Sequence, residues 1–334
     1  MTQLRGATNE FCAARSRIAF RMAKPGTLQE TLEYAAARSM LSILGALPRS
    51  FAVATGRGAG RIAYHLLGKL RRTGERNLQL AYPEQSKAEH ARTLRGSFQN
   101  LGRLLGEFSH FPNATPESLR RMIVYDAESI ARLRAIQNDG RGIIFLTGHI
   151  GAWELISFAW SALEHPLSFL VRPIDNPRVE ELIENMRTRF GNTAINKKTA
   201  ARAALRVLRD GGTLGILADL NTHPHEGVFV PFFGHLACTT AGAATLALRT
   251  NAAVMPVCAV WEEARKCFVF YGLPIVELVR TGDEKQDVEI NTANFTAALE
   301  QLIRRKPEQW LWIHKRWRTR PTGEPDLYAA PHTN

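Results

Sequence analysis

Apolar residues recur at helical spacing through the first 140 positions. After Gly140 they gather into short runs separated by helical stretches. Tyr34, Ala37, Leu41, Leu44 and Leu47 fall three or four apart and stop at Pro48, which predicts a helix ending there. Ala52 to Leu67 continues in the same manner, with glycines that let helices approach closely. Ser86-Lys87-Ala88-Glu89 is a capping box, predicting a helix that reaches about Phe108. Thr115-Pro116-Glu117 opens another, with proline at the first helical position. A helix through Ile130, Leu133 and Ile136 stops at Asn138-Asp139-Gly140.

Beyond Gly140 the rhythm becomes strand, helix, strand. Gly142 to Thr147, Leu167 to Val171, Thr193 to Ile195, Thr213 to Ala218, Val228 to Phe233, Val254 to Val260 and Cys267 to Tyr271 read as strands. Helices are expected over Trp153 to Leu163, Pro177 to Phe190, Ala200 to Arg209, Ala241 to Arg249 and about Phe295 to Arg305. Such alternation predicts an α/β fold with a mostly parallel central sheet wrapped by helices. The expected organisation is a tail over 1–27, a helical membrane-associating segment over 28–140, an α/β core over 141–321 and a tail over 322–334. The segment and core are expected to form one domain with a helical wrapping.

Charge narrows the partners. Forty-three Lys and Arg against 31 Asp and Glu leave a formal +12, a field that draws anionic bilayers, acidic proteins or nucleic acid. No nucleic-acid-binding module accompanies it, so nucleic acid is not expected as a partner. Thr31 to Ala54 is the nearest approach to a spanning helix, but Glu33, Arg38, Pro48 and Arg49 interrupt it. A helix of that kind lies in a bilayer interface or packs on the domain. Arg57, Arg61, Lys69, Arg71, Arg72 and Arg76 form a basic run beside it. Lys315, Arg316, Arg318 and Arg320 form a second, interleaved with Trp312 and Trp317. Cys12, Cys238, Cys258 and Cys267 make no CxxC pair, and the scattered charges of the first 25 residues do not resemble a secretion signal.

The chemistry concentrates in Thr147-Gly148-His149-Ile150-Gly151-Ala152-Trp153-Glu154, where a buried strand gives way to a helix. Open α/β sheets hold their ligands at such strand ends. His149 and Glu154 are five apart, so they can meet only if His149 lies in the loop and Glu154 in the first helical turns. A histidine held by a carboxylate is a competent general base. The alternative is a histidine at a helix start with a glutamate favoured there by the helix dipole. His223 and His225 beside Glu226 lack a third ligand at a telling distance, so no metal is expected. There is no GxSxG elbow, and Gly56-Arg57-Gly58-Ala59-Gly60 is not a dinucleotide loop but a run of helix-packing glycines.

The His149–Glu154 segment resembles the HxxxxE signature of the bacterial lipid A late acyltransferases, kin of the glycerolipid acyltransferases. Further blocks are similar in order and spacing. They are Arg172-Pro173-Ile174-Asp175-Asn176-Pro177, Arg187, Leu217-Ala218-Asp219, Val228-Phe229-Val230-Pro231, Thr239-Thr240, and Pro307 to Pro321. The resemblance runs from about Leu28 to Pro321. It implies a glycerolipid-acyltransferase-like fold and acyl transfer from a thioester on acyl carrier protein to a hydroxyl of a lipid A precursor. It implies His149 and Glu154 as the catalytic pair, with Arg172, Asn176, Arg187 and Asp219 at the substrate site, and no cofactor. Arg187 or a backbone N–H is the expected oxyanion or phosphate ligand, and Asp219 an organiser of the site. The implied setting is the cytoplasmic face of the inner membrane, held peripherally or by the N-terminal segment, against anionic lipids and a glycolipid acceptor. Leu220 to Glu226 departs from the enterobacterial pattern, so another glycolipid or a lysophospholipid stays open as acceptor. A basic protein that binds membrane or nucleic acid without catalysis is the competing class.

Overall fold

A computed structural model describes residues 27–196 and 200–329. The expectations for the first 26 residues, Cys12 included, lie outside the described residues.

The chain opens with four helices, α1 (Leu28–Ala46), α2 (Arg49–Leu66), α3 (Gly68–Ala81) and α4 (Lys87–Phe108), then α5 (Pro116–Met122), β1 (Ile123–Tyr125) and α6 (Ala127–Asn138). The alternating part follows as β2 (Ile143–Thr147), α7 (Trp153–Leu163), β3 (Ser168–Val171), α8 (Pro177–Arg187), β4 (Thr193–Asn196), α9 (Ala200–Arg209) and β5 (Thr213–Leu217). It ends with β6 (Gly227–Phe232), β7 (His235–Thr240), α10 (Gly242–Thr250), β8 (Ala253–Glu262), β9 (Cys267–Gly272) and α11 (Glu284–Arg305).

Seven strands form one sheet in the order β1-β9-β8-β2-β5-β3-β4, and β6 and β7 make a separate antiparallel hairpin. Within the sheet only β8 and β9 pair antiparallel. The fold is therefore the expected α/β arrangement with a mostly parallel sheet flanked by helices. Strand β2 sits between β5 and β8, and all five of its residues are buried. Its side chains alternate between two cores. Ile144 and Leu146 join a cluster with Tyr64, Leu78, Leu94 and Phe98 of the N-terminal helices. Ile143 and Phe145 face Phe158, Trp160 and Phe270.

The capping signals act as read. Ser86 accepts from the Glu89 N–H while the Glu89 carboxylate takes the Ser86 N–H at 2.7 Å, and Thr115 caps α5 ahead of Pro116. The glycines of α2 meet those of α4: a Cβ at Gly56 or Gly102 would overlap the facing carbonyl, and one at Gly60 would strike Phe98. Among the described residues no helix is long and apolar enough to cross a membrane.

Some elements carry no clear pattern in the sequence. Helix α3 carries charges and glycine where an apolar stripe would be, β1 is three residues long, and α11 begins three turns before Phe295 in a polar stretch capped by Asp283. The second basic cluster is corrected. Trp312, Trp317 and Arg316 are completely buried, with the tryptophans in the core and Arg316 donating to the Cys238 carbonyl at 2.8 Å and to Thr239. Each indole finds an internal acceptor, Pro307 for Trp312 and Phe232 for Trp317, so neither is presented to an interface.

Candidate active site

Strand register assembles the site. Thr147 of β2 pairs with Leu217 of β5, so His149 and Asp219, each two residues further on, emerge side by side at the carboxyl ends of adjacent parallel strands. Their contact is close. The Asp219 carboxylate accepts from His149 Nδ1 at 2.8 Å and from the His149 backbone N–H at 2.7 Å. Trp310 Nε1 donates to the same carboxylate at 2.7 Å. A Cβ at Gly148 would strike the Asp219 carboxyl, which explains glycine before the histidine.

Asp219 is fully buried. Desolvation, the largest influence on it, pushes its carboxyl up. The charge of His149 and the hydrogen bonds from His149 and Trp310 outweigh that and hold it below its ordinary value. For His149 desolvation pushes down, and the Asp219 charge and hydrogen bond, helped by Glu154, bring the imidazole above its ordinary value. An ionised carboxylate only accepts, so Nδ1 carries the proton and Nε2 presents its lone pair, with no partner among the described residues.

The expected His149–Glu154 partnership is therefore corrected. Glu154 sits in the first turn of α7, and its carboxylate is gripped by Arg187 of α8, Nε to Oε2 at 2.9 Å and Nη2 to Oε1 at 2.5 Å. The fork geometry of a guanidinium favours that bidentate hold. Desolvation lowers the Arg187 guanidinium, but its bonds and charge contact with Glu154 raise it above the ordinary range. Five residues of separation leave Glu154 near enough for its charge to reach the imidazole but not to bond it. Aspartate from the neighbouring strand supplies the bond instead.

Glu154 and Arg187 stand at the wall of a cavity of about 260 Å³ lined otherwise by Leu104, Leu105, Glu107, Phe108, Phe111, Ala152, Trp153, Leu155, Ile174 and Ile183. The Trp153 ring lies 5.2 Å from that of His149, joining the histidine to this apolar hollow. Helix α7 starts without a side-chain cap, and the Trp153 and Glu154 N–H groups find no acceptor among the described residues. Such free N–H groups at a helix start suit a developing negative charge.

Residues distant in sequence brace the loop. Gly151, at φ +60°, donates to the Gln309 carbonyl at 2.9 Å, and Leu311 donates to the His149 carbonyl at 3.1 Å. Asn100 of α4 reaches the Gly151 and Gln309 carbonyls at 3.2 and 3.3 Å. Trp310, Gln309 and Asn100 were not singled out from sequence. The one available signal was the indole of Trp310, which when buried needs an acceptor.

The other expected substrate contacts divide. Asn176 is 5% exposed and fully engaged. Its Oδ1 caps α8 through the Arg178 and Val179 N–H groups, and its Nδ2 donates to the Glu30 carbonyl and the Glu33 carboxylate of α1. It clamps α1 to α8 and has no polar capacity left for a substrate. Arg172, just beyond β3, is exposed and makes no hydrogen bond or ion pair among the described residues. Among those residues no cluster of His, Cys, Asp and Glu could hold a metal ion.

Comparison with known proteins places the chain among its relatives. The chain is 29% identical to the lipid A biosynthesis palmitoleoyltransferase of Escherichia coli K12 over 274 residues, 80% of this chain and 85% of the relative. It is 27% identical to the lipid A biosynthesis lauroyltransferase of the same organism over 282 residues, 82% and 87% of the two chains. The myristoyltransferase of that strain matches at 23% over 80% of this chain and 81% of its own length. With a family model matched from residue 26 to residue 319, this chain belongs to the bacterial lipid A biosynthesis acyltransferases.

Proposed function

We propose that this chain transfers a fatty acyl group from a thioester on acyl carrier protein to a hydroxyl of a lipid A precursor, with His149 as the general base. The observation that carries the reading is the His149 Nδ1–Asp219 hydrogen bond of 2.8 Å, which leaves Nε2 as the basic nitrogen of a ring packed near Trp153, a wall of the apolar cavity. Nε2 takes the proton of the acceptor hydroxyl as its oxygen attacks the thioester carbonyl carbon. The tetrahedral intermediate then collapses, the carbon–sulfur bond breaks, and the imidazolium returns its proton to the departing thiolate. Asp219 fixes the tautomer and stabilises the imidazolium. Arg187 and the free N–H groups at the start of α7 are the candidate donors to the oxyanion, with Glu154 holding Arg187 in place. The cavity takes the acyl chain, and Arg172 meets a substrate phosphate.

The donor and the setting rest on charge and surface. A net charge of +12 complements an acidic carrier protein and an anionic bilayer. Leu32 and Ile43 on α1, and Phe51, Ile62 and Leu66 on α2, are each more than 60% exposed. Their spacings of eleven and four residues place them on one stripe of each helix, a face suited to lying in the cytoplasmic leaflet of the inner membrane.

The test is acyl transfer from labelled acyl carrier protein to a panel of acceptors, with wild type and His149→Ala in parallel. Transfer to a lipid A precursor that disappears in the variant is the expected result. Transfer only to a lysophospholipid or another glycolipid would replace the acceptor, and full activity in folded His149→Ala would remove the base.

A further inference from the structure

The α2/α4 crossing brings together two arginines that the catalytic reading leaves unused. Gly56 and Gly102 touch, and Arg57 and Arg103 each follow one of them. Arg103 is 5% exposed, with its guanidinium 3.8 Å from the centre of the Trp261 ring. Burial, and next the charge of Arg57, push Arg103 down to about 10.

Neither arginine has a hydrogen bond or an ion pair among the described residues. The two carboxylates whose charges act on Arg103, Glu107 and Glu263, are bonded to other residues. Arg49 grips Glu107 through two bonds of 2.7 Å, and Glu263 accepts from Trp261 Nε1 at 2.7 Å and from Lys266. Burying a guanidinium is costly; the charges of Glu107 and Glu263 and stacking on an indole offset part of that, and a second cation beside it adds to the cost. One multivalent anion would relieve both.

We propose that Arg57 and Arg103 form a binding site for the phosphate of a lipid. Two guanidinium forks match the oxygens of a phosphate, and a phosphomonoester, with its higher charge, matches them best. The surroundings favour a lipid over a soluble compound. Helix α2 carries the exposed Phe51, Ile62 and Leu66, while Leu104, next to Arg103, lines the apolar cavity. Asn100, one turn before Arg103, touches the loop that follows His149, so an amphiphile held by this phosphate lies beside the reacting centre. The proposal rests on the reading that this chain works on a lipid.

The experiment is co-sedimentation of the full chain with phosphatidylcholine vesicles, with and without phosphatidic acid, alongside thermal melts with and without inorganic phosphate. Phosphatidic acid strengthens wild-type binding, and Arg57→Gln and Arg103→Gln each lose about tenfold of that gain, one charge-assisted contact. Arg92→Gln, the same charge change at an exposed position of α4, keeps it. If Arg103→Gln does not fold, Arg57→Gln, at a half-buried position, still decides. Folded variants that keep the full gain overturn the proposal, as does an equal loss in Arg92→Gln, which would mean bulk charge attraction. Stabilisation by inorganic phosphate without any gain from phosphatidic acid overturns the lipid source. Neither readout needs turnover, so failed acyl transfer with intact phosphatidic acid binding would strike the catalytic reading alone.

Discussion

Replacing Asp219 by asparagine separates the two carboxylates of the site. One aspartate oxygen, Oδ2, already receives the His149 N–H and the Trp310 indole, and the other, Oδ1, receives His149 Nδ1. Asparagine has one carbonyl oxygen, and two of the three donors sit where Oδ2 was. The amide oxygen therefore takes that side, and the NH2 group turns toward the ring. Nδ1 must then accept, the proton moves to Nε2, and the base is lost in the resting tautomer. The same change in a Ser-His-Asp triad costs about four decades in kcat, or ~5 kcal/mol at about 1.36 kcal/mol per decade, and a loss of that order is expected here. The pH profile carries the sign. As the proposed base, His149 must be neutral to act, and Asp219 raises its pKa, so wild-type kcat/KM is expected to climb with pH along a limb above the ordinary imidazole value. With that charge gone, the residual activity of Asp219→Asn titrates at lower pH. Glu154→Gln leaves the tautomer intact, loosens Arg187 and costs less. Steady-state rates across pH for both variants, with melts to verify folding, give the answer. Near-wild-type Asp219→Asn beside inactive Glu154→Gln would refute the assignment of Asp219 as the partner of His149.

Two further changes test packing and the cavity. Gly102→Ala forces a methyl into the Gly56 carbonyl and lowers stability by about 1–3 kcal/mol in denaturant melts; an unchanged midpoint would contradict the close α2/α4 crossing. Leu104→Trp fills part of the 260 Å³ cavity and shifts donor preference toward shorter chains, read by mass spectrometry of products from mixed donors; an unaltered product spectrum would place the acyl chain elsewhere.

Local signals were legible wherever a residue pattern acts on its own neighbours. The capping box at Ser86 starts α4 at Lys87, Pro116 starts α5, and the apolar run before His149 is the buried β2. The loop position of His149 and the first-turn position of Glu154 were expected as the condition for the two to meet; they take those positions without bonding each other. Which carboxylate bonds the imidazole was not, because that follows from the register of β2 against β5, a contact 70 residues long in sequence. The same holds for Asn176, whose amide bonds residues of α1 more than 140 positions away. The tryptophans near the C-terminus misled for the opposite reason: an indole suits a membrane interface and a core equally well, and only the acceptor for its N–H decides.

The strap from Gln309 to Trp317 also sets when the candidate site can form. A chain still on the ribosome carries both His149 and Asp219 long before it carries the indole that bonds Asp219, the Gln309 carbonyl that fixes Gly151, or the Leu311 N–H that fixes His149. Synthesis runs from the N-terminus, so the helices with the exposed apolar stripe emerge well before the segment that braces His149 and Asp219. The candidate site thus waits on the strap, and a chain stopped before Gln309 has the proposed groups for acyl transfer without the bonds that fix them.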